Sequence, residues 1–339
     1  MEEFEKAMAE KDCEKVLELF DDYLEGVEDE DKLRETLKEL EKLAVECWSY
    51  DLAHEVAHVY AHLEEEERLF NAYRGIVERA RGSERYAEAL YYLADAYEHF
   101  GFYEDALKTF EELYELEKAS GERKEEALTL ARMALVHEEL DDLEEAIRKM
   151  EAASALFREL GDDLNHMITL VDLAHFHHEA GDDERALALL EEVLRNPRDT
   201  EVEVNALLIR GEVKLERGQY RDAFKDIAMA MAKALETSEE LFLFVFDALR
   251  QYIETLITDK EYAPVYENMD LFVEAFEGHE EYASFFRAIA ELARFKEGHE
   301  EAKARFDELY SKIGDEELRA ILDELKSIGT TVLNIGMGL

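Results

Sequence analysis

His54-Glu55-Val56-Ala57-His58 is the stretch of this chain whose residue types and spacing match a catalytic pattern. Four residues apart on a helix, two imidazoles lie one turn apart on one face and can share a zinc ion, with Glu55 poised to activate a bound water. Glu78, 24 residues beyond His54, stands near the spacing expected of a third ligand. Against a zinc hydrolase, Asp51 is an atypical lead-in and no strand precedes the pattern to align an extended substrate. Ala53, beside the pattern, reads as the small residue that opens a helix in the repeat described next. His62 adds a third histidine at the same step, which a helix lines up in one stripe. The reading adopted is a packed or half-exposed histidine stripe, and no catalytic residue, metal ligand or cofactor is assigned. His175, His177 and His178 form a second cluster. His177 falls at a packing position of the repeat, whereas His175 and His178 point toward a groove beside Asp172. No nucleophile triad, Gly-rich phosphate loop or GxSxG pattern is present.

The elements that must position these side chains come from a recurring block. From Leu90 it runs Leu93-Ala94, Tyr97, Gly101, Tyr103, Ala106 and Phe110, and from Leu130 it returns as Met133-Ala134, His137, Asp141, Leu143, Ala146 and Met150. From Leu170 it reads Leu173-Ala174, His177, Gly181, Asp183, Ala186 and Leu190, and from Leu207 it reads Arg210-Gly211, Lys214, Gly218, Tyr220, Ala223 and Ile227. Ala106, Ala146, Ala186 and Ala223 are 40, 40 and 37 residues apart. A fixed period in this range implies a stacked helical solenoid, each unit burying a face only against its neighbours. With 2 Pro, 15 Gly and 37% charged residues, little turn chemistry remains for a β fold, and the chain reads as all-α. Short Gly, Asp or Ser clusters mark the helix breaks, among them Gly82-Ser83, Gly101, Ser120-Gly121, Asp141-Asp142, Gly161 to Asp163 and Gly181-Asp182. Val265 and Ala302 continue the register downstream, and Val16 and Ala53 mark degenerate units upstream. Between Ala53 and Ala106 the step is 53 residues, so one long helix or an extra unpaired helix fills Tyr50 to Arg81.

These units resemble tetratricopeptide repeats. Leu93-Ala94-x-x-Tyr97 supplies the large, small and aromatic order of a first helix, Gly101-x-Tyr103 the turn, and Ala106 with Phe110 the second helix. The resemblance, strongest from Ala87 to Ala234, implies a right-handed superhelical solenoid of antiparallel helix pairs. It divides the chain into degenerate N-terminal repeats with one irregular or long helix (1–86), clear repeats (87–236), degenerate C-terminal repeats (237–326) and an apolar tail (327–339). It also implies a concave face, lined by the first helices, that holds a peptide or a helix. Carried onto this sequence, that face presents Tyr91, Asp95 and Glu98, then Arg132, Leu135 and Glu138, then Asp172 and His175, then Leu208 and Glu212. The paired Lys and Asn with which chaperone-tail receptors of the family clamp a terminal carboxylate are not matched. The Asn that deeper-groove members present to a partner backbone is replaced by Tyr92, Arg132, Asp172 and Ile209. Neither of those binding modes is carried over.

The net charge of −47 arises from 62 Glu and 24 Asp against 18 Lys and 21 Arg, with only 2 Gln and 6 Asn. A Glu-rich, Lys-containing, amide-poor composition points to a thermophilic source. So negative a surface repels phosphate backbones and anionic membranes and steers basic partners toward it. The longest apolar run, Leu241 to Phe246, is far short of a membrane span, and the acidic N-terminus is unlike a signal peptide. Cys13 and Cys47 are too few for a disulfide framework, so a cytoplasmic chain is expected. The leading expectation is a non-enzymatic scaffold or adaptor for a basic or amphipathic protein segment. The alternative is a self-assembling structural protein joined through the tail or the Phe242 to Phe246 helix, and the remote one is a zinc hydrolase at His54, Glu55 and His58. Ser327 to Leu339 carries no charged side chain. Folding back on the last helices, insertion into another subunit or partner, and disorder all remain open for it.

Overall fold

A computed structural model describes residues 2–328, which form nineteen α-helices and one short 3₁₀ turn, with no strand among the described residues. The apolar segment from Gly329 to Leu339, and with it most of the expected assembly tail, lies outside the described residues. The chain divides into two compact units, Met1–Gly161 and Asp162–Leu339. The first unit holds α1 (Glu2–Glu10), α2 (Cys13–Glu18), α3 (Phe20–Gly26), α4 (Glu30–Cys47), α5 (Tyr50–His62) and α6 (Asn71–Ala80). It continues with α7 (Tyr86–His99), α8 (Tyr103–Ser120), α9 (Arg123–Glu139) and α10 (Leu143–Leu160). The second unit holds α11 (Asp163–Glu179), α12 (Asp183–Arg195), α13 (Thr200–Glu216), α14 (Tyr220–Thr237) and α15 (Glu239–Thr258). It ends with α16 (Tyr262–Ala275), α17 (Glu280–Glu297), α18 (Glu300–Lys312) and α19 (Glu316–Ser327). None of these helices is long and apolar enough to cross a membrane.

The repeated block converts into one local geometry. Gly101, Asp141, Gly181 and Gly218 all take positive φ, between 59° and 80°, which ends the first helix of each pair in the left-handed region. The next residue then donates its N–H to the carbonyl five residues back. Phe102 bonds Tyr97, Asp142 bonds His137, Asp182 bonds His177 and Gln219 bonds Lys214, at 2.7 to 2.9 Å. These bonds satisfy carbonyls that a helix end leaves unpaired and fix where the second helix starts. Aspartates cap several of those starts, with the Asp142 and Asp182 side chains accepting from the N–H groups of Glu145 and Arg185. Ala106, Ala146, Ala186 and Ala223 are fully buried where the two helices of a pair approach, with Phe110, Met150, Leu190 and Ile227 packed beneath them.

Two parts of the first unit differ from the sequence reading. Tyr50 to Arg81 is neither one long helix nor an unpaired one. It breaks after His62, passes through a 3₁₀ turn at Glu66–Arg68, and resumes as α6, which packs on both α4 and α7. The inserted helix and its connection account for the 53-residue step. Gly75 permits the close approach, since a Cβ there would sit 2.6 Å from Val45 Cγ2. Cys13 and Cys47 make no framework, but they do form one disulfide, with Cα atoms 6.6 Å apart, which ties the start of α2 to the end of α4. Helix packing brings them together across 34 residues, a distance over which spacing alone carries no information.

In the second unit, α15 is apolar on more than one side without being buried on all of them. Phe242 and Val245 are buried, whereas Leu243 and Phe244 are 51% and 56% exposed.

Candidate functional site

The groove residues expected from the first two blocks meet on α7 and α9. Arg132, from α9, reaches Asp95 at 2.5 Å and Glu98 at 3.0 Å on α7. The one cation among the expected groove residues is therefore held internally by two carboxylates. Burial pushes the Glu98 carboxyl above its ordinary range; Arg132 opposes this, and Asp95 and Glu139 reinforce it. Beside them lies an open cavity of about 230 Å³ lined by Asp95, Glu98, His99, Tyr103, Arg132 and Glu139. The Tyr103 hydroxyl donates to Glu139 at 2.9 Å, which fixes one wall.

Toward the start of α7 the face becomes aromatic. Tyr92 stacks on Tyr50 with ring centroids 3.9 Å apart, and Tyr91 meets Tyr92 edge-on at 5.6 Å. Tyr91, Tyr92 and, on α9, Leu128 are more than a third exposed, while Leu135 is half-buried. These rigid rings lose little conformational freedom on contact, a property of anchor residues at interfaces. Glu138 is half-buried on the same helix.

The second unit places its expected residues less uniformly. Asp172 and Glu212 are half-buried, and His175 lies 3.7 Å from Glu179. Leu208 is a correction: it is buried in the hydrophobic core of the second unit, so the α13 face that carries it is packed against neighbouring helices instead of lining an open groove. His178 is another. Instead of opening into a groove, its imidazole is only 9% exposed and bonds Asp183 of α12 at 2.8 Å. A cavity of about 400 Å³ does open between α13 and α15, lined by carboxylates (Glu212, Glu216, Asp259, Glu261) and by Leu215, Tyr220, Tyr252 and Leu256. Burial and the adjacent Glu212 raise the Tyr252 hydroxyl well above its ordinary pKa, so it stays a neutral donor. Sequence reading missed the α15 wall because the repeat is degenerate there.

The His-Glu-x-x-His stretch lies on α5. His54 and His58 meet with their Nε2 atoms 3.0 Å apart, and both are half-buried. Glu78, the expected third partner, is exposed on α6 and ion-paired with Arg81 at 3.2 Å. The side chain that joins the pair is His99, from the end of α7. His62 is exposed one turn further along α5.

Residues 125–199 match the tetratricopeptide repeat family model. Comparison with curated proteins gives no match. Among solved structures, the chain is similar to a kinesin light chain with TPR-like repeats from Podosopora anserina, at 15% identity over 55% of this chain and 95% of that one, TM-score 0.45. It is similar to BtubC from P. vanneervenii at 15% identity over 70% and 93% of the two chains, TM-score 0.47. It is also similar to the quorum sensor NprR from B. thuringiensis at 13% identity over 96% and 97%, TM-score 0.46.

Proposed function

We propose that this chain, whose residues 125–199 match the tetratricopeptide repeat family model, is a non-catalytic scaffold that holds a basic, amphipathic segment of another protein. The observation that carries the reading is the face of α7 and α9. Exposed Tyr91, Tyr92 and Leu128 lie beside a run of carboxylates whose one arginine, Arg132, is already engaged by Asp95 and Glu98. An incoming Lys or Arg finds an excess of carboxylates over the single Arg132 there, and an apolar side chain finds an aromatic floor. The cavity between α13 and α15 repeats the combination in the second unit, with four carboxylates around Tyr252 and Leu256.

The test uses labelled helical peptides of one apolar face, with either lysine or glutamate on the other. The lysine peptide is expected to bind at low salt and to weaken steeply between 50 and 300 mM NaCl, while the glutamate peptide fails to bind. Tyr91→Asp or Leu135→Asp is expected to weaken binding about tenfold, the range of one anchor residue. Equal affinity for both peptides, or binding indifferent to both substitutions, would remove the groove from the reading.

A second reading, self-assembly, is favoured by one observation: Leu243 and Phe244 are exposed side by side on α15. If that patch joins copies of the chain, Phe244→Glu lowers the mass measured by light scattering to that of one chain. An unchanged mass excludes the patch.

A further inference from the structure

We infer that His54, His58 and His99 form a binding site for a first-row divalent metal ion, built across α5 and α7. The site shares His99 with the wall of the cavity beside Arg132, but imidazole ligation is a different chemistry from that of the peptide-holding face. The ligand atoms of the three imidazoles all lie within 4.8 Å of one another. His54 Nε2 and His58 Nε2 are 3.0 Å apart, close to the roughly 3.3 Å that two nitrogens span when each sits about 2.0 Å from one tetrahedral zinc. His99 is exposed, so a change of its rotamer brings its ring nitrogen onto the same ion without disturbing the core.

Two features of the surroundings fit an ion better than they fit packing alone. Tyr73, itself 4% exposed, places its hydroxyl 3.3 Å from His54 Nδ1. With Nδ1–H donating to that oxygen, the Nε2 lone pair is left facing His58, which is how an outer partner fixes the tautomer of a ligating histidine. Phe100 backs the three rings, at 4.9 Å from His99, 5.1 Å from His58 and 6.0 Å from His54, and keeps water from one side. Three imidazoles select zinc, copper or nickel over magnesium or calcium.

The experiment titrates the chelator-stripped full chain with Zn²⁺ by calorimetry against a chromophoric competitor, and with Co²⁺ by visible absorption. One equivalent is expected to bind, with the intense Co²⁺ bands of a four-coordinate site and a raised melting temperature. His99→Asn is expected to weaken Zn²⁺ binding by at least the about 10- to 100-fold that loss of an outer partner alone produces, and Tyr73→Phe by about tenfold. His62→Asn leaves it unchanged, which separates a site across two helices from a stripe along one. His99 and His62 are both exposed, so these two variants are expected to stay folded, as circular dichroism would verify. The inference is overturned if His99→Asn binds like the parent, if His62→Asn loses as much as His99→Asn, or if no saturable equivalent is seen. The peptide titrations use the parent chain and the Tyr91 and Leu135 variants, so the two sets of results are read separately.

Discussion

Replacing Asp226 with alanine is expected to destabilise the second unit by about 2–4 kcal/mol, seen as an earlier thermal or urea transition. Asp226 is 3% exposed on α14. It accepts from Arg210 Nε and Nη2 at 2.8 and 2.7 Å and from Lys214 Nζ at 2.6 Å, both on α13. Those two cations occupy positions that hold Leu93 and Tyr97, Met133 and His137, or Leu173 and His177 in the other three repeats. Asp226 itself stands where Thr109, Lys149 and Leu189 stand in those repeats. The fourth repeat thus carries a buried charge triad where the others place Leu or Met and an aromatic or imidazole ring on the first helix. Removing the aspartate leaves two like charges about one-fifth exposed and unopposed, which is the costly half of breaking a buried ion pair. The partial exposure of both bases is why the expected loss falls below the full range for a sealed pair. Restoring the sister residues together, as Arg210→Leu, Lys214→Tyr and Asp226→Leu, is expected to leave stability unchanged or to raise it. A triple variant as unstable as the single one would show that the triad, rather than its loss of balance, stabilises this crossing.

Glu117→Gln is expected to stabilise the first unit at pH 8 and to have little effect near pH 4.5. Glu117 is 5% exposed on α8, and burial pushes its carboxyl up to about 7; a hydrogen bond from Thr129 partly offsets this, while Glu125, Glu122 and Glu126 add to it. Its folded pKa lies above its unfolded value near 4.5, so between those two pH values the folded chain binds more protons than the unfolded one. Stability must therefore fall as pH rises through that window, and the loss is complete above about 7. A shift of this size corresponds to a loss on the order of 2–3 kcal/mol. Glutamine carries no such proton at any pH, so the difference between the variant and the parent grows with pH and then levels off. Thermal unfolding from pH 4.5 to 8.5 measures it. Parallel profiles for the two proteins would mean that the carboxylate is solvated when charged.

The sequence by itself determined the helices, their breaks and the pairing within each repeat. These features are local: a helix period of 3.6 residues, a position that needs positive φ at Gly101, Asp141, Gly181 and Gly218, and a small residue at each crossing are all written within a window of about 20 residues. The same locality put Asp95 and Glu98 on one face of α7 and Arg132 on α9, and the folded chain pairs the three. Leu208 and His178 failed because a face assigned by register alone ignores how far each helix rotates toward its neighbour.

Tertiary structure alone decided the rest. His99 joins His54 and His58 from 45 and 41 residues away, Cys47 meets Cys13 across 34, and Asp226 reaches Arg210 from the next helix. In each case the partners are set by the angle and depth at which helices pack, quantities fixed by many side chains at once. The pattern on α5 illustrates the division. Its spacing made two imidazoles neighbours, and it suggested Glu78 and then His62 as companions. The inserted α6 packs between α4 and α7, and the folded chain brings the end of α7 to the pair instead, so the third imidazole is His99.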